Sequence, residues 1–353
     1  MEGKAGFVLA CQRVVNGEGG ISPAPAWISV AHGHIVATGS GAAPDGAIDL
    51  GDAFVAPGFV DLQVNGTGAV DFATATLDEI VVAVDALVAG GTTGLLPTIC
   101  TAPLDAYEGM LTRLRGVQRQ RPDRVVGVHL EGPFLGGAPG AHPVDLVRSV
   151  DVAWLTKLCD DFGDLIKIVT LAPEADPDGK AIELLAARKI VVAVGHSTVD
   201  YDGAQQAIAH GARLATHLFN GMGPLHHRAP GLAGAALTDT RVVPSLIADF
   251  VHVHPAMVKL ALDARPDAVL VTDAVPDAAT HLADGTLAGS TLTMGQAVAN
   301  VASLGIPPAR AIRYATANPA RVLNLNDRGR IAPGARADLV ALDPATLAVR
   351  RVV

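Results

Sequence analysis

Four short fragments set a carboxylate, two histidines and an aspartate each at the end of an apolar run. They are V-H-L-E-G-P-F with Glu131, V-G-H-S-T with His196, A-T-H-L-F-N with His217 and L-V-T-D-A with Asp273. One glutamate and two histidines make a donor set that binds a divalent transition ion and leaves coordination positions free for water and substrate. Imidazole together with carboxylate suits Zn2+, Fe2+ or Mn2+, so ligand type alone does not choose the metal. An aspartate beside a water activated in this way is a general base, and the proton it gains can be returned to a leaving group. The chemistry expected is metal-assisted hydrolysis. Each residue also has a structural alternative: Glu131 as a buried structural acid, Asp273 as a helix cap or an ion-paired acid. The shared placement of Glu131, His196 and His217 at strand ends favours the functional reading.

That reading needs a scaffold that brings strand ends together. Apolar runs fall at residues 59–64, 92–99, 125–130, 165–171, 190–194, 212–216, 244–248 and 268–272. Between the first two, Leu77, Ile80, Val81, Val84, Leu87 and Val88 follow helical spacing. Thr76 and Glu79 form a capping box ahead of them, and Gly90-Gly91 ends the helix. Further helices are predicted over 181–187, 204–210 and 256–263. Eight strands alternating with helices predict an α/β fold, a (β/α)8 TIM-like barrel, whose chemistry sits at the C-terminal strand ends. The two ends of the chain read differently. Residues 1–56 hold short β-like pieces at 7–11, 26–30 and 34–37, separated by Gly-rich turns, and the tail has a strand at 338–342 after a Pro333-Gly334 turn. The expected organisation is a small β-sandwich from residues 1–56 and 326–353, with the barrel over 57–325.

Bulk properties exclude several classes of function. The chain has 353 residues, a net charge of −9 and no Lys/Arg run, so neither nucleic acid nor an anionic membrane is an expected partner. Three scattered cysteines, Cys11, Cys100 and Cys159, make neither a disulfide framework nor a CxxC metal site. No secretion signal is visible at the N-terminus, and no apolar run approaches the roughly 20 residues that span a bilayer. A cytoplasmic enzyme is expected.

The remaining histidines divide. His32 and His34 form an H-x-H, but Gly33 between them reads as a hairpin turn outside the barrel. His210, before Gly211, is placed at a helix C-terminus, where a cation is favoured. His226, His227, His254 and His281 have no assigned role. Asn220-Gly221 after His217, Arg228 in H-H-R-A-P-G, and His252 after the seventh run offer an amide, backbone N–H groups, a guanidinium and an imidazole, a set that suits a phosphate.

Eight stretches carry a family resemblance: A-P-G-F-V-D-L-Q-V-N-G (56–66), H-L-E-G-P-F (129–134), G-A-H-P (140–143), G-H-S-T (195–198), T-H-L-F-N-G-M (216–222), R-A-P-G-L-A-G (228–234), A-D-F-V-H-V (248–253) and V-T-D-A (271–274). With these the chain resembles the amidohydrolase superfamily and, within it, the N-acetylglucosamine-6-phosphate deacetylase family. The resemblance implies that Glu131, His196 and His217 hold one divalent ion per subunit, zinc first, with Fe2+, Mn2+ or Co2+ as alternatives. It implies that Asp273 is general base and then acid, and that His142 polarises the acetyl carbonyl. Asn220, Gly221, Arg228, His252 and Gly132 are implied substrate-binding residues, with Arg228 reaching the neighbouring site of a homodimer. Most superfamily members carry H-x-H at the end of the first barrel strand, where this chain has Gln63 and Asn65. Neutral amides are poor ligands for a transition metal, so these two are expected to hold water in place of a second ion. The implied reaction is deacetylation of N-acetyl-D-glucosamine 6-phosphate in amino-sugar catabolism and cell-wall recycling. Its rivals are an amidohydrolase acting on an N-acetyl amino acid or cyclic amide, a metal-free glycoside hydrolase, and a non-catalytic sugar-phosphate-binding protein.

Overall fold

The structure, a computed structural model, describes residues 6–353. Eight strands, β1 (Phe59–Val64), β2 (Thr92–Ile99), β3 (Val128–Glu131), β4 (Ile166–Leu171), β5 (Val191–Val194), β6 (Leu214–Ala215), β7 (Val243–Ile247) and β8 (Val269–Val271), form one sheet in sequential order. The pairings from β2 to β8 are parallel. The sheet returns on itself at the C-terminal ends of its first and last strands. Val64 bridges Ala274 in parallel, the Asp273 N–H donates to the Gln63 carbonyl at 3.0 Å, and the Asn65 N–H donates to the Ala274 carbonyl at 2.7 Å. Helices follow the strands along the chain, the first at Leu77–Leu87 and the last of the set at Met294–Ser303. This is the (β/α)8 barrel expected from the alternation of patterns. Every residue of β1 and β2 is buried, the mark of parallel strands covered on both faces.

Local chemistry explains the boundaries. Thr76 and Glu79 cap the helix that starts at Leu77: the Thr76 N–H donates to Glu79 Oε2 at 2.8 Å, and the Glu79 N–H returns to Thr76 Oγ1 at 3.4 Å. The third strand departs from the apolar run expected at 125–130. Val125 still bridges Leu95, but Gly127, at φ +157°, breaks the strand, which resumes at Val128 and ends at Glu131. A side chain at Gly127 would stand 2.8 Å from the Leu165 carbonyl, so the break needs glycine. The sixth run is shorter than expected, Leu214–Ala215 alone.

The chain divides into two compact units, one of the N-terminal segment up to Asp61 with Ala86–Gly94 and Thr293–Val353, the other of Leu62–Asp85 and Leu95–Leu292. The first holds two four-stranded sheets. One orders His34–Ser40, Ala26–Ala31, Phe7–Cys11 and Ile48–Asp49; the other orders Val349–Val352, Leu339–Leu342, Phe54–Pro57 and Arg13–Val14. Leu339–Leu342 pairs antiparallel with Phe54–Pro57, which ties the tail to the N-terminal segment. Along Ala26–Ala31 buried and half-buried residues alternate, as a strand with one face on a core requires. Ile28, Leu9, Val30, Ile35, Val55, Ile331 and Leu339 belong to that core. His32 and Gly33, at φ +51° and +75°, form the two-residue turn between antiparallel strands, so the H-x-H is a hairpin tip.

The second unit carries the C-terminal ends of all eight barrel strands. For the first, Ile28 is fully buried. Ile28→Ala is expected to cost about 2–5 kcal/mol, the range for deleting a buried large aliphatic side chain. Denaturant unfolding checks it: a loss below about 1 kcal/mol would mean that this core does not bear on the stability of its unit.

Candidate active site

Glu131 ends β3, and its Oε1 lies 3.0 Å from His217 Nε2 and 3.1 Å from His196 Nε2. The two imidazole nitrogens are themselves 3.1 Å apart. Three donor atoms at these separations match ligands that each stand about 2.0–2.2 Å from a shared ion. The hydrogen bonding agrees for His196, whose Nδ1–H donates to the Ala138 carbonyl at 3.1 Å and leaves Nε2 with its lone pair toward the cluster. His217 Nδ1 is buried and has no hydrogen-bond partner among the described residues. Burial opposes charge on Glu131, yet the two imidazoles hold its carboxyl well below the usual range. Burial also opposes a charged His217, but Glu131 outweighs it and lifts that ring to about 9. The cluster attracts positive charge, and its chemistry fits a divalent transition ion.

The chain turns sharply at these strand ends. His196, His217 and Asp273 have φ of +49°, +29° and +48°, a left-handed conformation that costs a non-glycine residue of order 1 kcal/mol or more. Packing around them holds it. Glu174 accepts from Ser197 Oγ at 2.5 Å and from the Thr198 N–H at 2.7 Å, which fixes the loop carrying His196. Ser245 Oγ accepts from the His217 N–H at 2.8 Å and donates to the Ala215 carbonyl at 3.1 Å.

Asp273 stands against the triad across the barrel seam. Gln63 Nε2 donates to Glu131 Oε1 at 3.0 Å and to Asp273 Oδ1 at 3.1 Å; Asn65 Nδ2 donates to the same Oδ1 at 2.7 Å. Gln63, expected to hold water, thus sets its amide nitrogen between two carboxylates. Asn65 likewise spends a donor on Asp273. Burial and the Glu131 charge raise the Asp273 carboxyl above its ordinary range, and the Asn65 bond partly offsets them.

His142 joins from a loop. Its Nε2 is 3.8 Å from Glu131 Oε2, and its ring meets that of His196 edge-on, centroids 4.4 Å apart. Thr101 holds the other nitrogen, with its hydroxyl at 2.8 Å and its N–H at 3.3 Å from Nδ1. Burial pushes the His142 pKa down to about 3, so the ring is neutral. When the Thr101 N–H donates to Nδ1, the ring hydrogen sits on Nε2 and points to the site. Gly132 is a correction to its expected substrate role. It does not line the cavity, and its N–H donates to the Thr170 carbonyl at 3.0 Å. A side chain there would meet Thr101 Oγ1 at 2.3 Å, so Gly132 makes room for the residue that holds His142.

These groups open into a cavity of about 410 Å3. Asn220, Gly221 and His252 line it, opposite a largely apolar wall that includes Val275, Pro276, Leu282 and Leu287. His252 Nδ1 donates to Asp249 Oδ2 at 2.6 Å, and Asp249 Oδ1 accepts the N–H groups of Val251 and His252 at 2.9 Å. Asn220 is held by its own loop, with Nδ2 3.2 Å from the His217 carbonyl. Gly221 lies so close to His196 that a side chain would come within 2.8 Å of Nδ1. Arg228 is not brought into this cavity: it is exposed, with a guanidinium nitrogen 3.0 Å from His227 Nε2. His210 ends the helix Tyr201–His210 and pairs with Glu183 at 2.8 Å. Residue reasoning missed Thr101, Glu174 and Asp249. Only Asp249 had a readable signal, an acid three residues before His252 in A-D-F-V-H-V.

A profile of the Amidohydrolase family matches residues 54–352. The N-acetylglucosamine-6-phosphate deacetylase of Danio rerio is 36% identical over 338 residues, 85% of this chain and 83% of that protein. The N-acetylgalactosamine-6-phosphate deacetylase of Escherichia coli O157:H7 is 38% identical over 316 residues, 81% of this chain and 83% of that one. Among solved structures, the D267A mutant of the N-acetyl-D-glucosamine-6-phosphate deacetylase of Mycobacterium smegmatis, in complex with N-acetyl-D-glucosamine-6-phosphate, superposes with a TM-score of 0.91 at 36% identity. That match covers 99% of this chain and 98% of the other. A closed barrel with this donor set at its strand ends, matched by the family profile from 54 to 352, belongs to the amidohydrolase family.

Proposed function

We propose that the protein hydrolyses N-acetyl-D-glucosamine 6-phosphate to D-glucosamine 6-phosphate and acetate. The observation that carries this is the joining of Glu131, His196, His217 and Asp273 on one cavity with His252 and Asn220, in a chain that resembles deacetylases of this substrate. Glu131, His196 and His217 would hold one divalent ion, zinc first and Fe2+, Mn2+ or Co2+ as alternatives, which supplies a water of lowered pKa and Lewis acidity at the carbonyl.

The chain's own residues do the rest. Asp273 takes a proton from the attacking water; Gln63 and Asn65 both load its Oδ1, which leaves Oδ2 for that proton. The His142 Nε2–H donates to the acetyl oxygen as negative charge grows there, and its neutrality keeps it a donor that does not lose its hydrogen. As the C–N bond breaks, Asp273 passes its proton to the departing amine, so it ends each turnover ionised. Asp249 orients His252 so that Nε2 faces the 6-phosphate, beside the Asn220 amide and the Gly221 backbone. Arg228 completes the phosphate site from the neighbouring subunit of a homodimer, which accounts for its absence from its own cavity. The amides at positions 63 and 65 support a single catalytic ion, because they donate hydrogen bonds to carboxylates from the positions where H-x-H would offer ligands to a second one. Action on a sugar phosphate supports a cytoplasmic location and a role in amino-sugar catabolism and cell-wall recycling.

The direct test is acetate release by the metal-reconstituted protein from N-acetylglucosamine 6-phosphate, its galactosamine epimer and unphosphorylated N-acetylglucosamine. N-acetylglucosamine 6-phosphate should be turned over fastest; no acetate from it would end the proposal. Asp273→Asn keeps the shape but cannot take the proton. Its kcat is expected to fall about 10²–10⁴-fold, the scale of general acid–base catalysis, while elemental analysis still finds one ion per chain. Near-normal turnover by the metal-loaded variant removes Asp273 from the proton path. Arg228→Ala should lower kcat/KM for the phosphorylated sugar roughly 10- to 100-fold, from the loss of a charge-assisted contact of about 1.5–3 kcal/mol, and leave the unphosphorylated sugar little changed. Mixing Arg228→Ala with Asp273→Asn subunits should restore activity in part. Equal loss on both sugars would show that Arg228 does not read the phosphate.

A further inference from the structure

The two oxygens of Glu131 face different donors. Oε1 meets Gln63, His196 and His217, whereas Oε2 lies 3.6 Å from Cys100 Sγ and 3.8 Å from His142 Nε2. Cys100 immediately follows β2 and lines the same cavity, and its sulfur is also 3.2 Å from Asn65 Oδ1. The ligand atoms of Cys100, Glu131 and His142 all lie within 4.8 Å of one another. We propose that Cys100 Sγ, His142 Nε2 and Glu131 Oε2 form a second cation site, selective for thiophilic divalent ions, and that filling it inhibits the enzyme by withdrawing His142 from the substrate.

The geometry suits such an ion. Donors about 2.3 Å (sulfur) and 2.0–2.2 Å (oxygen, nitrogen) from a tetrahedral ion stand about 3.3–3.6 Å from one another. The sulfur–carboxylate distance already falls there, the imidazole needs to approach the carboxylate by a few tenths of an ångström, and the sulfur and imidazole start within 4.8 Å of each other. The fourth position is left to water, since the Asn65 amide, 3.2 Å from the sulfur, is a poor ligand. Ligation needs the other tautomer: the Thr101 hydroxyl oxygen can accept from Nδ1–H when the Nε2 lone pair is given to the ion, at the cost of the bond that the Thr101 N–H donates to Nδ1 in the free ring. Ligation replaces the thiol hydrogen, which leaves to the buffer as a proton. A sulfur donor beside imidazole and carboxylate selects Zn2+, Cd2+ or Co2+ over Mg2+ or Ca2+. Glu131 would bridge the two ions, one on each oxygen, with the inner ion held by two histidines and the outer one exchangeable through the cavity. The inhibitory half of the proposal rests on the function proposed for His142; the site itself does not.

The probe is Co2+, added to protein already carrying one equivalent. The second equivalent is expected to bring a thiolate-to-cobalt charge-transfer band in the near ultraviolet and to lower kcat about 10²-fold, the scale of losing one donor to a developing oxyanion. Cys100→Ser, or Cys100→Ala if the first does not fold, should keep wild-type turnover at one equivalent, show no such band, and need at least tenfold more Co2+ for inhibition. In the wild-type protein, alkylation of Cys100 by iodoacetamide, mapped by mass spectrometry, should slow at least tenfold with the second equivalent. Absence of the band, its persistence without Cys100, or unchanged alkylation overturns the site. A rise in turnover overturns the inhibition. Because the band and the alkylation need no substrate, their appearance in a protein with no deacetylase activity would keep the site and reject the proposed function instead.

Discussion

Two carboxylates buried face to face at the seam of a closed barrel set the terms for everything around them. Glu131 and Asp273 come from opposite sides of the closure and share the single amide nitrogen of Gln63, at 3.0 and 3.1 Å. Removing two like charges from water costs several kcal/mol each unless positive charge or hydrogen bonds replace the solvent. The site supplies both. The amides at 63 and 65 donate to the acids, and His196 and His217 converge on Glu131 as a donor set that can accept a cation. The same concentration of negative potential raises the Cys100 thiol well above its usual range, through burial first and then through Glu131 and Asp273. Without a cation, Cys100 is a neutral thiol; with one, it is a ligand within reach.

The barrel tolerates this arrangement because its strands are rigid and its strand ends are not regular. Three of the residues that meet in the cavity occupy left-handed backbone conformations, each held by a bond from a neighbouring loop or strand. The cost is met by packing below, where the strands are buried over nearly all of their length. His129 is part of that packing. Its Nδ1–H donates to the Leu62 carbonyl and its Nε2 accepts from Thr170 Oγ1, which in turn meets Thr216 Oγ1. Burial takes the His129 pKa down to about 4, so this ring links three strands as a neutral polar strut beneath the charged layer. Neutral below and charged above, the polarity of the strand ends follows the boundary between core and cavity.

The cavity has two walls. One is polar, with Asn220, Gly221 and His252, and Asp249 holds the His252 ring through a short hydrogen bond. The other is largely apolar, from Val275 to Leu287. Glycines stand where functional residues crowd: Gly132 under Thr101, and Gly221 against His196.

By itself the sequence determined the eight-fold alternation, the capping box at Thr76, the hairpin at His32-Gly33, and the four strand-end residues Glu131, His196, His217 and Asp273. Periodicity, turn chemistry and residue type are local properties, and they can be read along the chain. Only the tertiary structure decided which oxygen of Glu131 faces which donors, that Gln63 spends its amide on two acids, and that Gly132 serves packing and not substrate. It alone placed Cys100, Thr101, Glu174 and Asp249 in contact with the residues that the motifs had marked, and left Arg228 outside its own cavity. Those facts depend on approaches of a few ångströms between residues up to about 200 positions apart. Barrel closure creates such approaches, and no spacing along the chain encodes them.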